Sequence, residues 1–116
     1  MGSMAQQPRR SQLRILFFKE EGWWVAQCLE YDFAAQAVSL ADAQYELMRL
    51  MVAHVFLCTS FGEVPFEGIP RAPDHLEKCF EDGERLCLTH VPEFRPGDVP
   101  EAHVIDSIGT FDARVC

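Results

Sequence analysis

An α+β fold is predicted: a small antiparallel sheet in β-β-β-α order with one long helix packed on it, then a short helix and one or two further strands. Three features point to it. Two short apolar runs, residues 13–18 and 23–30, flank the turn Lys19-Glu20-Glu21-Gly22. Ser39 stands in front of a stretch with helical apolar periodicity over residues 40–58. Beyond Thr59 the composition shifts to Gly62, Pro65, Gly68, Pro70 and Pro73, which favours irregular chain over more helix.

The first run places Leu13, Ile15 and Phe17 on one strand face and Leu16 and Phe18 on the other, because successive side chains of a strand alternate. Both faces of the predicted hairpin therefore need cover, and Trp23 and Trp24 point opposite ways. Residues 34–38 read as a short third strand after the turn Glu30-Tyr31-Asp32-Phe33.

Ser39 caps the long helix, with Asp42 in the capping-box position. At 100° per residue Leu40, Gln44, Leu47, Met51, Val55 and Cys58 share a side, flanked by Ala43, Leu50 and His54. That side packs on the sheet, and Trp24, Val25, Leu47 and Met51 are expected to be largely buried. The opposite side starts polar with Asp42, Tyr45, Glu46 and Arg49, then continues into Ala53 and Phe56 with Val52 and Leu57 beside them. A short amphipathic helix is expected over 74–81, with Leu76, Cys79 and Phe80 on one face and Gly83 as its stop. Residues 85–91 read as a strand and 103–111 as a weaker strand or extended tail.

The 116 residues suit one domain. Residues 1–12, starting Met1-Gly2-Ser3-Met4, read as an expression-tag remnant and flexible arm, and 13–116 as a single domain with an extended C-terminal arm. Arg9, Arg10 and Arg14 precede every acid, so residues 15–116 carry seven Lys and Arg against 18 Asp and Glu, a net of −11. Such a body repels phosphates and argues against nucleic-acid binding. A basic partner protein fits it better. The longest apolar stretch, residues 50–58, is interrupted by His54 and falls below the roughly 20 residues of a membrane span. The expectation is a soluble cytoplasmic protein with no membrane partner.

Five cysteines (Cys28, Cys58, Cys79, Cys87, Cys116) form an odd set without a Cys-x-x-Cys pair, so reduced, packing cysteines are expected. His54 and Cys58 have the spacing of two metal ligands on one helix face, but the other two ligands have only distant candidates. Cys58 lies at the wrong helix end for an activated thiolate, and Cys87 and His90 face opposite sides of a predicted strand. No nucleophile elbow, phosphate loop or His-Glu-x-x-His motif is present. The chain is read as a non-enzyme without metal or cofactor, with a small metal- or cysteine-dependent enzyme the weakest alternative.

The segment from Gly22 through Trp23-Trp24-Val25-Ala26-Gln27-Cys28-Leu29-Glu30, then Ala37-Val38-Ser39-Leu40-Ala41-Asp42-Ala43 and a helix, is similar to the HicB-like antitoxin domain family. The resemblance covers residues 13–58, with a weaker echo at Pro70-Arg71-Ala72-Pro73. It differs in having Ala37 where the family usually has Gly before the cap, and Tyr31-Asp32-Phe33 near its usual Pro-Gly turn. No basic DNA-binding module follows Asp74. The resemblance implies a three-stranded antiparallel sheet under one helix and capture of a small basic toxin-like protein. Glu20, Glu21, Glu30 and Asp32 are the expected docking acids. A homodimer or higher even-numbered oligomer is expected through Phe18, Trp23, Val52, Ala53, Phe56 and Leu57, whose apolar surface a single helix-on-sheet packing leaves uncovered. A stand-alone homo-oligomer with an unknown ligand is the alternative.

Overall fold

The computed structural model describes residues 12–86 and 110–116. In chain order the elements are β1 (Gln12–Glu20), β2 (Trp23–Cys28), β3 (Ala34–Ala37), α1 (Leu40–Ser60), α2 (His75–Asp82), β4 (Glu84–Leu86) and β5 (Thr110–Val115). The strands form one mixed sheet in the order β3-β2-β1-β5-β4. The α+β expectation holds, and the sheet is larger than a three-stranded meander: β5 inserts beside β1 in parallel and pairs with β4 antiparallel.

β1 and β2 are joined more tightly than a four-residue turn. Glu20 already pairs with Trp23, leaving Glu21 and Gly22 as the loop, both at positive φ (51° and 85°). Two successive left-handed residues are the signature of a type I′ hairpin turn, and Gly at the second position removes the steric cost.

Alternation along β1 divides the core in two. Leu13, Ile15 and Phe17 join Ala26, Cys28 and Ala113 under α1. On the reverse face Leu16 is buried with Leu29, Ala72, Leu76 and Phe80, and Phe18 and Cys79 pack against them. The molecule is therefore a helix-sheet-helix sandwich around β1, with the segment after α1 returning to cover the second face. Two backbone bonds hold that segment: Asp32 N–H donates to Pro70 C=O at 2.8 Å, and Ala72 N–H to Leu29 C=O at 3.1 Å.

α1 begins as expected, with the Ser39 hydroxyl accepting from Asp42 N–H at 3.1 Å. Its buried residues are Ala43, Tyr45, Leu47, Met48, Met51, Val52 and Val55. The buried face thus takes in Tyr45 and Val52, which the periodicity places on the outer side, while Leu50 is exposed. Leu47, Met51 and Val25 are buried as expected. Trp24 is half-buried, with Lys19 Nζ 5.4 Å from the ring centroid.

Eight residues are too few for a stable isolated helix, so α2 depends on its docking. Arg14 and Arg114 reach it from the sheet, their guanidinium carbons 5.5 Å and 4.6 Å from the Phe80 ring centroid. Arg114 also donates to the Phe80 and Glu81 carbonyls, supplying positive charge to a helix end with no basic residue in its own last turn. The stop at Gly83 is steric as well: a Cβ there would stand 2.7 Å from the Val115 carbonyl oxygen.

Residues 1–11 lie outside the described chain, and Gln12 already belongs to β1. Of the strand expected over 85–91, residues 85 and 86 fall in β4 and 87–91 lie outside. Most of the strand expected over 103–111 also lies outside, and the observed one, β5, starts at Thr110.

Candidate functional site

Among the described residues β3 stands at the end of the sheet, with β2 on one side only. The ladder pairs Trp24 with Ala37 and Ala26 with Ala35, and Cys28 N–H donates to Phe33 C=O at 2.9 Å. In an antiparallel ladder the residues that bond the neighbour alternate with those whose N–H and C=O point away. Phe33, Ala35 and Ala37 thus serve β2, and Ala34 and Gln36 present their backbone groups outward. The strand reads Ala-Ala-Gln-Ala, without the proline, lysine or bulge that commonly blocks such an edge.

Open grooves of about 530 Å³ and 520 Å³ flank β3 on its two sides. The first runs toward α1 and contains Trp23 (44% exposed), Val38 (73%) and Leu50 (40%), with Asp42, Glu46 and Arg49 on the helix side. Three partly bare apolar side chains beside an unpaired strand supply anchors for a docked chain. The second lies on the α2 face, where Phe18, Val25 and Leu76 form its apolar floor and Glu20 and Asp32 add carboxylates.

The second groove has a rigid frame. Gln27 is buried, and its amide donates to Cys28 C=O at 2.9 Å, Asp32 Oδ1 at 3.0 Å and Phe33 C=O at 3.2 Å. Those bonds hold the turn from β2 to β3 and aim the Asp32 carboxylate. No protein-family model, curated protein or solved structure matches this chain. What the edge can do therefore rests on its own geometry: it offers outward backbone donors and acceptors, apolar anchors and fixed negative charge. Those are requirements for binding an extended segment.

The expected docking acids separate. Glu20 and Glu21 are exposed at the hairpin tip, and Asp32 shares a groove with Glu20. Glu30 is withdrawn, because its carboxylate takes Arg14 N–H at 2.7 Å and Arg14 Nε at 2.5 Å. That carboxylate is engaged twice within its own chain, which leaves it less free to meet a partner than Glu20 or Glu21.

The residues expected to associate separate too. Val52 is fully buried in the α1 core, so it cannot reach another chain. Phe18 is partly covered by the α2 cluster of its own chain, the outcome that a self-covering arm entails. Ala53 and Phe56 are half-buried, while Trp23 and Leu57 are exposed. Val38 and Gln36 join the site without a motif to mark them, their only signal being a place at the end of a short, alanine-rich strand. Phe61 and Val64, also exposed, lie in and beside a segment whose composition reads as irregular.

His54 holds the chain that follows α1: its Nε2 accepts Phe66 N–H at 2.9 Å, which requires that nitrogen to be unprotonated. Its ring sits among Phe33 and Phe66, and Phe66 stacks on Tyr31 at 4.5 Å. Cys58 Sγ lies 3.6 Å from the same nitrogen. Among the described residues no three His, Cys, Asp or Glu side chains gather as metal ligands. Burial pushes the Cys28 thiol up to about 11, which keeps it protonated near neutral pH. Cys87 and His90 lie outside the described residues. No helix among those described is long and apolar enough to cross a membrane.

Proposed function

We propose that this chain is a non-enzymatic protein-binding module, similar to a HicB-type antitoxin, that captures a small basic protein by accepting one of its strands along β3. The β3 edge, which no described strand covers and which Trp23, Val38 and Leu50 line, carries this reading. Backbone pairing supplies affinity in such strand addition, while the flanking grooves select side chains. Glu20, Glu21 and Asp32 favour a partner with lysine or arginine beside the added strand, and the net charge of −8 favours its approach.

Co-expression with a small basic protein encoded beside this chain, followed by co-purification and titration, tests the reading. Gln36→Pro removes an outward N–H while leaving the ladder to β2 intact. It is expected to weaken partner binding at least about tenfold with little change in thermal midpoint, and binding should fall as salt rises past about 0.15 M, where the Debye length is about 8 Å. Equal affinity of the variant and the parent chain overturns the edge as the docking site.

A second reading, self-association through the end of α1, is favoured by the exposure of Leu57 and Phe61 one helical turn apart. Light scattering on the partner-free chain separates the two, because strand capture needs only a monomer.

A further inference from the structure

Phe111, Ala113 and Val115 of β5 face α1. Arg114 occupies the opposite face, over the Phe80 ring of α2. The same alternation carries Cys116 onto the α2 face. Cys79 stands one residue before Phe80, half-buried against the same cluster. The two backbones converge at Gly83, where a Cβ would meet the Val115 carbonyl oxygen at 2.7 Å and the Cys79 carbonyl oxygen at 3.1 Å. On its far side Cys116 is fixed by its N–H, which donates to Phe17 C=O at 2.9 Å. Both cysteines are free, and this convergence places them as neighbours at the end of α2.

We propose that Cys79 and Cys116 form an oxidation site, at which a small-molecule disulfide converts the thiol pair into a disulfide pinning the last turn of α2 to the end of β5. Cys116 is exposed and Cys79 half-buried, so Cys116 attacks first. Its thiolate displaces one small-molecule thiolate and forms a mixed disulfide. The Cys79 thiolate then attacks the Cys116 sulfur and displaces the second. Two protein thiols lose two electrons and two protons, and the small disulfide is reduced to two thiols. The contact with Cys79 raises the Cys116 thiol above its ordinary value, so the rate increases with pH beyond the usual thiol range. The other described cysteines differ: Cys28 is buried, and Cys58 contacts a histidine.

The test is incubation of the full chain with oxidised glutathione at about pH 8, alkylation of the remaining thiols, and intact and peptide mass analysis. The expected product is monomeric, lighter by two hydrogens, and linked Cys79 to Cys116. Its thermal midpoint should rise by roughly 5–10 °C, reversibly on reduction. Cys116→Ser and Cys79→Ser should each abolish the linkage and the rise. A linkage through Cys58 or Cys87, an intermolecular disulfide, a persistent glutathione adduct on Cys116, or no reaction overturns the proposal.

Discussion

Phe17→Ala is expected to destabilise the protein by about 3–5 kcal/mol. Phe17 is fully buried at the centre of the sheet, with Ala26 across from it on β2 and Val115 on β5. Neither neighbour is large enough to fill the vacated space, and α1 is held above it by Leu47, Met51 and Val52, which are themselves fully buried. A domain of this size has roughly 5–15 kcal/mol of stability, so the variant is left marginal. Urea unfolding should show a lower midpoint with an unchanged slope. Leu50→Ala, at an exposed position of the same helix, should stay within about 0.5 kcal/mol of the parent. A loss below about 1.5 kcal/mol for Phe17→Ala would mean that the core relaxes around the site, contrary to this packing.

Replacing Arg14 by Met should cost about 1–3 kcal/mol at neutral pH, and the loss should shrink on acidification. Arg14 donates to both carboxylate oxygens of Glu77, at 2.7 Å and 2.9 Å, as well as to Glu30. These hydrogen bonds hold the Glu77 carboxyl below its ordinary value of 4.5, and burial opposes them only in part. A depressed folded-state pKa stabilises above the unfolded value, and that contribution disappears as pH falls through the folded value. The parent chain should therefore lose part of its stability below about pH 4.5, and Arg14→Met should lack that portion of the acid limb. The Glu77 side chain is 30% exposed, which places the linked term at the lower end of the range. Urea unfolding of both chains from about pH 7 to about pH 2 measures it. A stability difference that is constant across that range would exclude the clasp as its source.

The first half of the fold is legible because its signals are local. Gly22 permits the turn, Ser39 caps α1, and the alternation of residues 13–18 announces that both sheet faces will be covered. The parallel β1–β5 seam has no such signal. Thr-Phe-Asp-Ala-Arg-Val mixes polar and apolar residues, and Arg114 on the face toward α2 works as a helix cap, not as a solvated charge. Tyr45 and Val52 escape the helical periodicity for a related reason: the 21-residue helix buries a wider arc than a single apolar stripe. Around the turn into β3, composition locates the acids but not their pairing. Glu30 and Asp32 look alike in sequence, and only the fold delivers Arg14 to one and Gln27 to the other.

The same seam governs the order in which the chain can assemble. β1 meets β2 across a two-residue turn, whereas its other edge waits for residues 110–115, and closing so large a loop carries a correspondingly larger entropy cost. The hairpin and α1 should consequently form the early nucleus, with β5 arriving late. Until it does, β1, whose Leu13, Ile15, Leu16 and Phe17 are all buried in the folded protein, has an unpaired edge, a template for pairing between chains. Refolding yield should then fall as protein concentration rises. Ala113→Gly, which weakens only the late seam, should accelerate unfolding and leave the folding rate nearly unchanged. A matching slowdown in folding would place β5 in the nucleus instead.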